Sequence, residues 1–155
     1  MENSLTKNIL HPLSRFLVAL IFLMSGVGKL FGFAATSQMM GGVGFPAPSF
    51  FLICAISIEI IASACLLLGF KTKYAAIALI VFLIPATLIF HVTEISDPVQ
   101  GQEQMINALK NLAIIGGLLK FAADRAGNFA LDNLFKRNSA DSNLMTEAIG
   151  ETVSA

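Results

Sequence analysis

Four ionisable side chains stand inside stretches that are otherwise apolar: Lys29, Glu59, His91 and Lys110, with Asn111 beside the last. A charge removed from water is costly unless it is paired and hydrogen-bonded. An acid, two amines and an imidazole drawn together could hold a polar ligand, a quinone head group or a proton in transit. Desolvation alone would keep Glu59 neutral, whereas a nearby lysine favours the carboxylate. The same residues have plainer uses. Glu59 could pair with Lys29 or Lys110 to fix how helices pack, either lysine could snorkel to a membrane surface, and His91 could be an interfacial residue. Both sets of uses stand at this level.

The elements that carry these residues follow from composition. Hydrophobic residues make up 55% of the 155 positions and charged ones 13%, with a mean hydropathy of +0.76. A soluble domain carries roughly 25% charged residues, so this chain has too few to cover a globule. Four stretches reach the roughly 20 apolar residues that a membrane span needs: 13–33, 49–70, 74–92 and 105–123. The second tolerates its glutamate. Its twelve Ile, Leu and Phe residues contribute about −0.3 to −0.6 kcal/mol each, against about +2.5 to +3.5 for the acid. An all-α, integral membrane four-helix bundle is expected, with a lead over 1–12, the spans within 13–133 and a mobile tail over 134–155.

Basic residues alternate between the connections. Lys7 and Arg15 precede or open the first span, Lys71 and Lys73 join the second to the third, and Lys120, Arg125, Lys136 and Arg137 end or follow the fourth. Connections 34–48 and 93–104 hold no Lys or Arg, and the latter carries Glu94, Asp97 and Glu103. Positive residues mark cytoplasmic loops, so both termini are expected in the cytoplasm. A signal peptide ending near Gly32-Phe33-Ala34 fits poorly, because Ser25, Gly26 and Lys29 break its apolar run.

With four spans, Lys29, His91 and Lys110 flank the outer half of the bundle and Glu59 lies near mid-depth. Small or polar neighbours share their faces: Ser25, Gly26 and Gly32 with Lys29, Ala55, Ala62 and Ser63 with Glu59, Thr87 with His91, and Asn107 with Lys110. Small residues admit close helix contact in lipid, and Gly28 with Gly32 forms a small-xxx-small pair. Pro85 should kink the third span, and one interfacial helical turn is expected around Thr36–Met40. Cys54 and Cys65, on one helix about 16 Å apart, cannot form a disulfide within the chain. The pattern offers no metal or haem site, since His11 lies at the opposite face from His91. Zero net charge gives no sign of nucleic-acid binding.

The stretch RFLVALIFLMSGVGKLFGF (15–33) resembles the first span of the DoxX family of small bacterial membrane proteins. IEIIASACLLLGFKTKYAA (58–76) is similar to that family's second span, and His91 stands where the family often closes its third. RAGNFALD (125–132) is similar to the segment after the fourth span, with Ala130 in place of a serine. The resemblance covers about 13–133, and Arg15, Lys29, Glu59, His91 and Asp132 match its pattern. It implies a multi-pass protein of the bacterial cytoplasmic (inner) membrane that serves as a subunit of a quinone-linked oxidoreductase or oxidative-stress complex. The chain bears no cofactor of its own, so that role needs a redox-protein partner. If the chain takes part in enzyme chemistry, it does so as an accessory subunit. A non-catalytic scaffold or assembly factor and a proton or small-solute carrier are the alternatives. Four spans without inverted repeats argue against the carrier, unless the chain forms a homo-oligomer.

Overall fold

A computed structural model of the protein describes residues 9–93, 95, 96, 99–123, 130 and 131. The expected tail 134–155, Asp132 and most of the lead 1–12 lie outside these residues. Five α-helices follow one another, and no strand occurs among the described residues: α1 His11–Phe31, α2 Phe33–Gly42, α3 Pro48–Leu68, α4 Thr72–Thr87 and α5 Gly101–Ala123. A π-helical segment, Leu88–Val92, extends α4. Helices α1, α3 and α5, and α4 with its extension, are each long and apolar enough to cross a membrane. These four helices overlap the apolar stretches 13–33, 49–70, 74–92 and 105–123, with ends that differ by a few residues.

Local chemistry sets these ends. Prolines open α1 and α3 in the first turn, where no donor is lost. Gly69 ends α3 in the left-handed conformation, with the Gly69 N–H donating to Leu66 and the Phe70 N–H to Cys65. That is a Schellman termination. Lys71, also left-handed, starts α4 at once, so α3 and α4 are antiparallel neighbours. The single turn expected around Thr36–Met40 is a ten-residue helix, α2, which starts directly after Gly32. The helix runs on through Pro85 and then widens to π-helical spacing at Leu88–Val92. Instead of breaking the helix, the strain of a proline within it is followed by a looser turn.

The helices form a ring in which α1 packs on α3, α3 on α4 and α4 on α5, while α1 and α5 meet only briefly. The end holding the start of α1, the α3–α4 turn and the close of α5 is here termed the terminal end. The loop end holds α2 and the α4–α5 connection. A core of Ala19, Phe22, Ala62, Leu66, Ala75, Ala76, Leu79, Leu83 and Leu118 fills the terminal half. Outside it Leu17, Met24, Ile61, Val81 and Leu112 are exposed. This apolar perimeter is what a bilayer solvates.

Two expectations need correction. The Gly28–Gly32 pair is not a packing motif: a Cβ on Gly28 would meet nothing within 4 Å, and Gly32 forms the joint between α1 and α2. The close approach falls at Gly26, where a Cβ would lie 2.9 Å from Ile60 Cγ1 and 3.3 Å from Glu59 Cβ. Spacing cannot say which way a glycine face turns. Arg15, counted as a charge at the mouth of the first span, is 2% exposed. Its guanidinium fills the space beside Gly69, where a Cβ would fall 1.8 Å from Nη1 and 2.8 Å from Ala130 Cα. A cation is favoured at this negative end of α3.

Candidate functional site

Because α1 and α3 come together over Gly26, Lys29 and Glu59 meet across the interface. Lys29 Nζ lies 2.9 Å from Glu59 Oε1 and 3.0 Å from Oε2. Ser25, one turn before Lys29, donates to Oε1 at 3.0 Å and accepts from Nζ. The three N–H groups of the ammonium therefore each have an acceptor. Glu59 is buried at 3% exposed and the lysine side chain is half-buried. One turn on, the Ser63 hydroxyl donates back to the carbonyl of Glu59. This cluster is closed and electrically neutral.

A second polar group forms on the opposite wall. His91 Nδ1 lies 2.7 Å from Gln104 Oε1, joining the π-helical segment to the start of α5. Asn111 donates from Nδ2 to Thr87 Oγ1 at 3.0 Å, and Thr87 donates to the carbonyl of Leu83. Lys110 Nζ donates to Asn107 Oδ1 at 2.8 Å and is exposed. Lys110 thus makes no pair with Glu59, and Lys29 is the acid's partner.

Between the two groups lies a cavity of about 900 Å³ whose lining includes Lys29, Glu59, His91, Lys110 and Asn111. All five residues singled out from the sequence face one space. Aromatic rings close its loop end: Phe45 stacks on Phe90 with centroids 5.8 Å apart and meets Phe51 edge-on at 5.4 Å. Towards the terminal end it stops at Phe22, Leu83 and Ile114, which belong to or pack on the core. Ile21, Ile58 and Val81 line it and are exposed at mid-helix, so it is open sideways, where lipid would stand.

Sequence reasoning missed three contributors. The π-helical segment sets the direction of His91, and such segments are frequent at functional sites. Its one sequence signal is Pro85, three residues upstream. Gln104 was counted with a polar loop, yet it opens α5. Met39 and Met40 of α2 line the cavity; both fall in the helical turn expected around Thr36–Met40, but neither was counted with the polar core. Arg15 lies at the other end of the bundle, outside the site, and Asp132 lies outside the described residues.

Comparison with known proteins agrees with this architecture. The family model described as DoxX matches residues 11–92. The inner membrane protein YphA of Escherichia coli (strain K12) is 33% identical over 125 residues, covering 80% of this chain and 89% of that protein. The inner membrane protein YqjF of the same organism is 31% identical over 124 residues, covering 80% and 90%. No solved structure matches.

Proposed function

The chain belongs to the DoxX family, and from that premise we propose that it is a membrane-embedded ligand-binding subunit of a redox system. Its cavity receives the head of a membrane-soluble amphiphile, and a quinone is the ligand class that such a subunit would use. The observation that carries this reading is the convergence of Lys29, Glu59, His91, Lys110 and Asn111 on one laterally open, largely apolar cavity. Binding sites are mostly apolar hollows with a few placed polar groups, and this one has that character. The electron-transferring centre would belong to a partner protein. Docked there, the subunit would hold the ligand's head away from water while its tail stays in lipid.

The same reading places the protein in a bacterial inner membrane with both termini in the cytoplasm and the cavity in the outer half. Arg15, Lys71, Lys73 and Lys120 stand at the terminal end, whereas connections 34–48 and 93–104 carry no Lys or Arg. Mild-detergent purification of the full chain, with identification of co-purifying proteins and extracted quinone, tests the function. A redox partner with bound quinone is the expected result, and a lone protein free of quinone overturns it. A cysteine at Gln102 in a cysteine-free chain should label from outside the cell. Labelling only from the cytoplasm would reverse the topology.

A further inference from the structure

We infer that the α5 wall of the cavity selects an acidic, acceptor-only head group, so that an ionised long-chain carboxylate is held more tightly than a neutral amphiphile of equal length. This rests on the cavity being a ligand site, and not on the ligand being a quinone.

The argument is an inventory of unused hydrogen-bonding capacity. On the α1–α3 wall, the Lys29 ammonium spends its donors on Ser25 and on both oxygens of Glu59. That wall has no charge left to offer. On the facing wall, Lys110 gives one of its three donors to Asn107. Asn111 gives one of its two amide hydrogens to Thr87. On α5, two ammonium hydrogens and one amide hydrogen therefore remain beside the cavity. The charged residues in the lining are Lys29, Glu59 and Lys110. The first two cancel, which leaves one positive charge at Lys110. Among the described residues no carboxylate pairs with it.

A carboxylate complements this wall, since it accepts in several directions and donates nothing. Charge-assisted hydrogen bonds are about twice as strong as neutral ones. The remainder of the ligand meets apolar side chains such as Phe82 and Ile114. Because exposed Ile21, Ile58 and Val81 border the space, the source is the bilayer rather than the aqueous phase. An alkyl chain reaches the site without leaving hydrocarbon.

Cys54 lines the same cavity and reports on its occupancy. The test uses the full chain carrying Cys65→Ala in phosphatidylcholine nanodiscs at alkaline pH. The rate of N-ethylmaleimide reaction at Cys54 is followed with palmitate, hexadecanol or butyrate added. Palmitate should protect at about a tenfold lower concentration than hexadecanol, and butyrate should give no protection. Lys110→Met should bring palmitate and hexadecanol within about twofold of each other, while Lys110→Arg retains the difference. The arginine variant, which keeps the charge, separates loss of the head-group contact from loss of the fold. Equal protection by palmitate and hexadecanol in the parent chain overturns the charge selection while leaving an amphiphile-binding cavity. Protection by butyrate equal to that by palmitate overturns the bilayer source. No protection by any of the three overturns both this inference and the ligand-site reading beneath it.

Discussion

The two halves of this bundle are built from the same four helices but solve different problems. In the terminal half, alanines and leucines from α1, α3, α4 and α5 interlock, and the buried Arg15 sits over the end of α3. In the loop half the buried apolar set shrinks to Met40, Leu52 and Ile56, and side chains retreat from a cavity bordered by the Lys29–Glu59 ion pair and the Asn111 amide. Without a strong hydrophobic drive between helices in lipid, van der Waals packing and polar contacts hold a bundle together. The terminal half uses the first and the α1–α3 ion pair the second, which leaves the polar groups of α5 in the loop half available for a ligand. A solid end therefore permits an open one.

The sharpest way to break this division is at Gly69. Its φ of +69° disfavours a side chain, and a Cβ there would overlap Arg15 Nη1 and Ala130. Gly69→Ala combines backbone strain of about 1–3 kcal/mol with overpacking of about 1–3 kcal/mol. The expected loss is about 3 kcal/mol, read as a lower melting temperature in detergent. If Gly69→Ala melts like the parent chain, the terminal half does not anchor the fold.

The next effect belongs to the ion pair. Glu59→Gln leaves the Lys29 ammonium against a neutral amide. Breaking one side of a buried pair costs about 3–5 kcal/mol in soluble proteins, whereas polar contacts in membranes average about 0.6 kcal/mol. With Lys29 half-buried, a loss of about 2 kcal/mol is expected, between those bounds. Lys29→Met in the same chain should restore part of it. Lys110→Met should not, because Lys110 bonds Asn107 and not Glu59. Melting of the parent, Glu59→Gln, Lys29→Met and the chain carrying both forms a double-mutant cycle, and rescue of Glu59→Gln by Lys110→Met would contradict the pairing. Glu59→Gln that melts normally but fails to complement a deletion strain would move Glu59 from packing to ligand binding.

The sequence was most informative where one physical cause dominates. Hydrocarbon thickness and the cost of buried charge mark four spans and single out Lys29, Glu59, His91, Lys110 and Asn111, whatever the packing. What was not legible depends on helix rotation. The choice between Lys29 and Lys110 as partner of Glu59 turns on which face of α1 meets α3, and no spacing in either helix encodes that. Arg15 was counted among the basic residues that open the first span, and its burial was not legible there, because Gly69 makes room for it from a helix more than fifty residues away. The π-helical turn behind His91 likewise reflects backbone adjustment beyond Pro85.

Two glycines sharpen the same point at smaller scale. Gly26→Ala places its methyl 2.9 Å from Ile60 Cγ1 and 3.3 Å from Glu59 Cβ. Ile60 is β-branched and stiff, so α1 must move outward, stretching the Lys29–Glu59 contact. A loss of about 1 kcal/mol is expected, at the low end of overpacking costs, with a lower melting temperature as the readout.

Gly28, two residues on, is exposed and has nothing within 4 Å of its Cβ direction. Gly28→Ala meets no neighbour, and its φ is not among the positive values found in the chain. Alanine restricts the unfolded chain more than glycine does, which stabilises a compatible site by about 0.4 kcal/mol or somewhat more. The variant should therefore melt at or slightly above the parent temperature, and it should leave Cys54 reactivity unchanged. The pair also discriminates between two origins of the α1–α3 contact. If Gly28→Ala destabilises as much as Gly26→Ala, the small residues act as a stripe that meets another helix or a second copy of the chain along Gly28 and Gly32. If only Gly26→Ala does so, one close approach beside Glu59 sets the geometry of the ion pair, and α1 can be varied on its lipid face without disturbing the cavity.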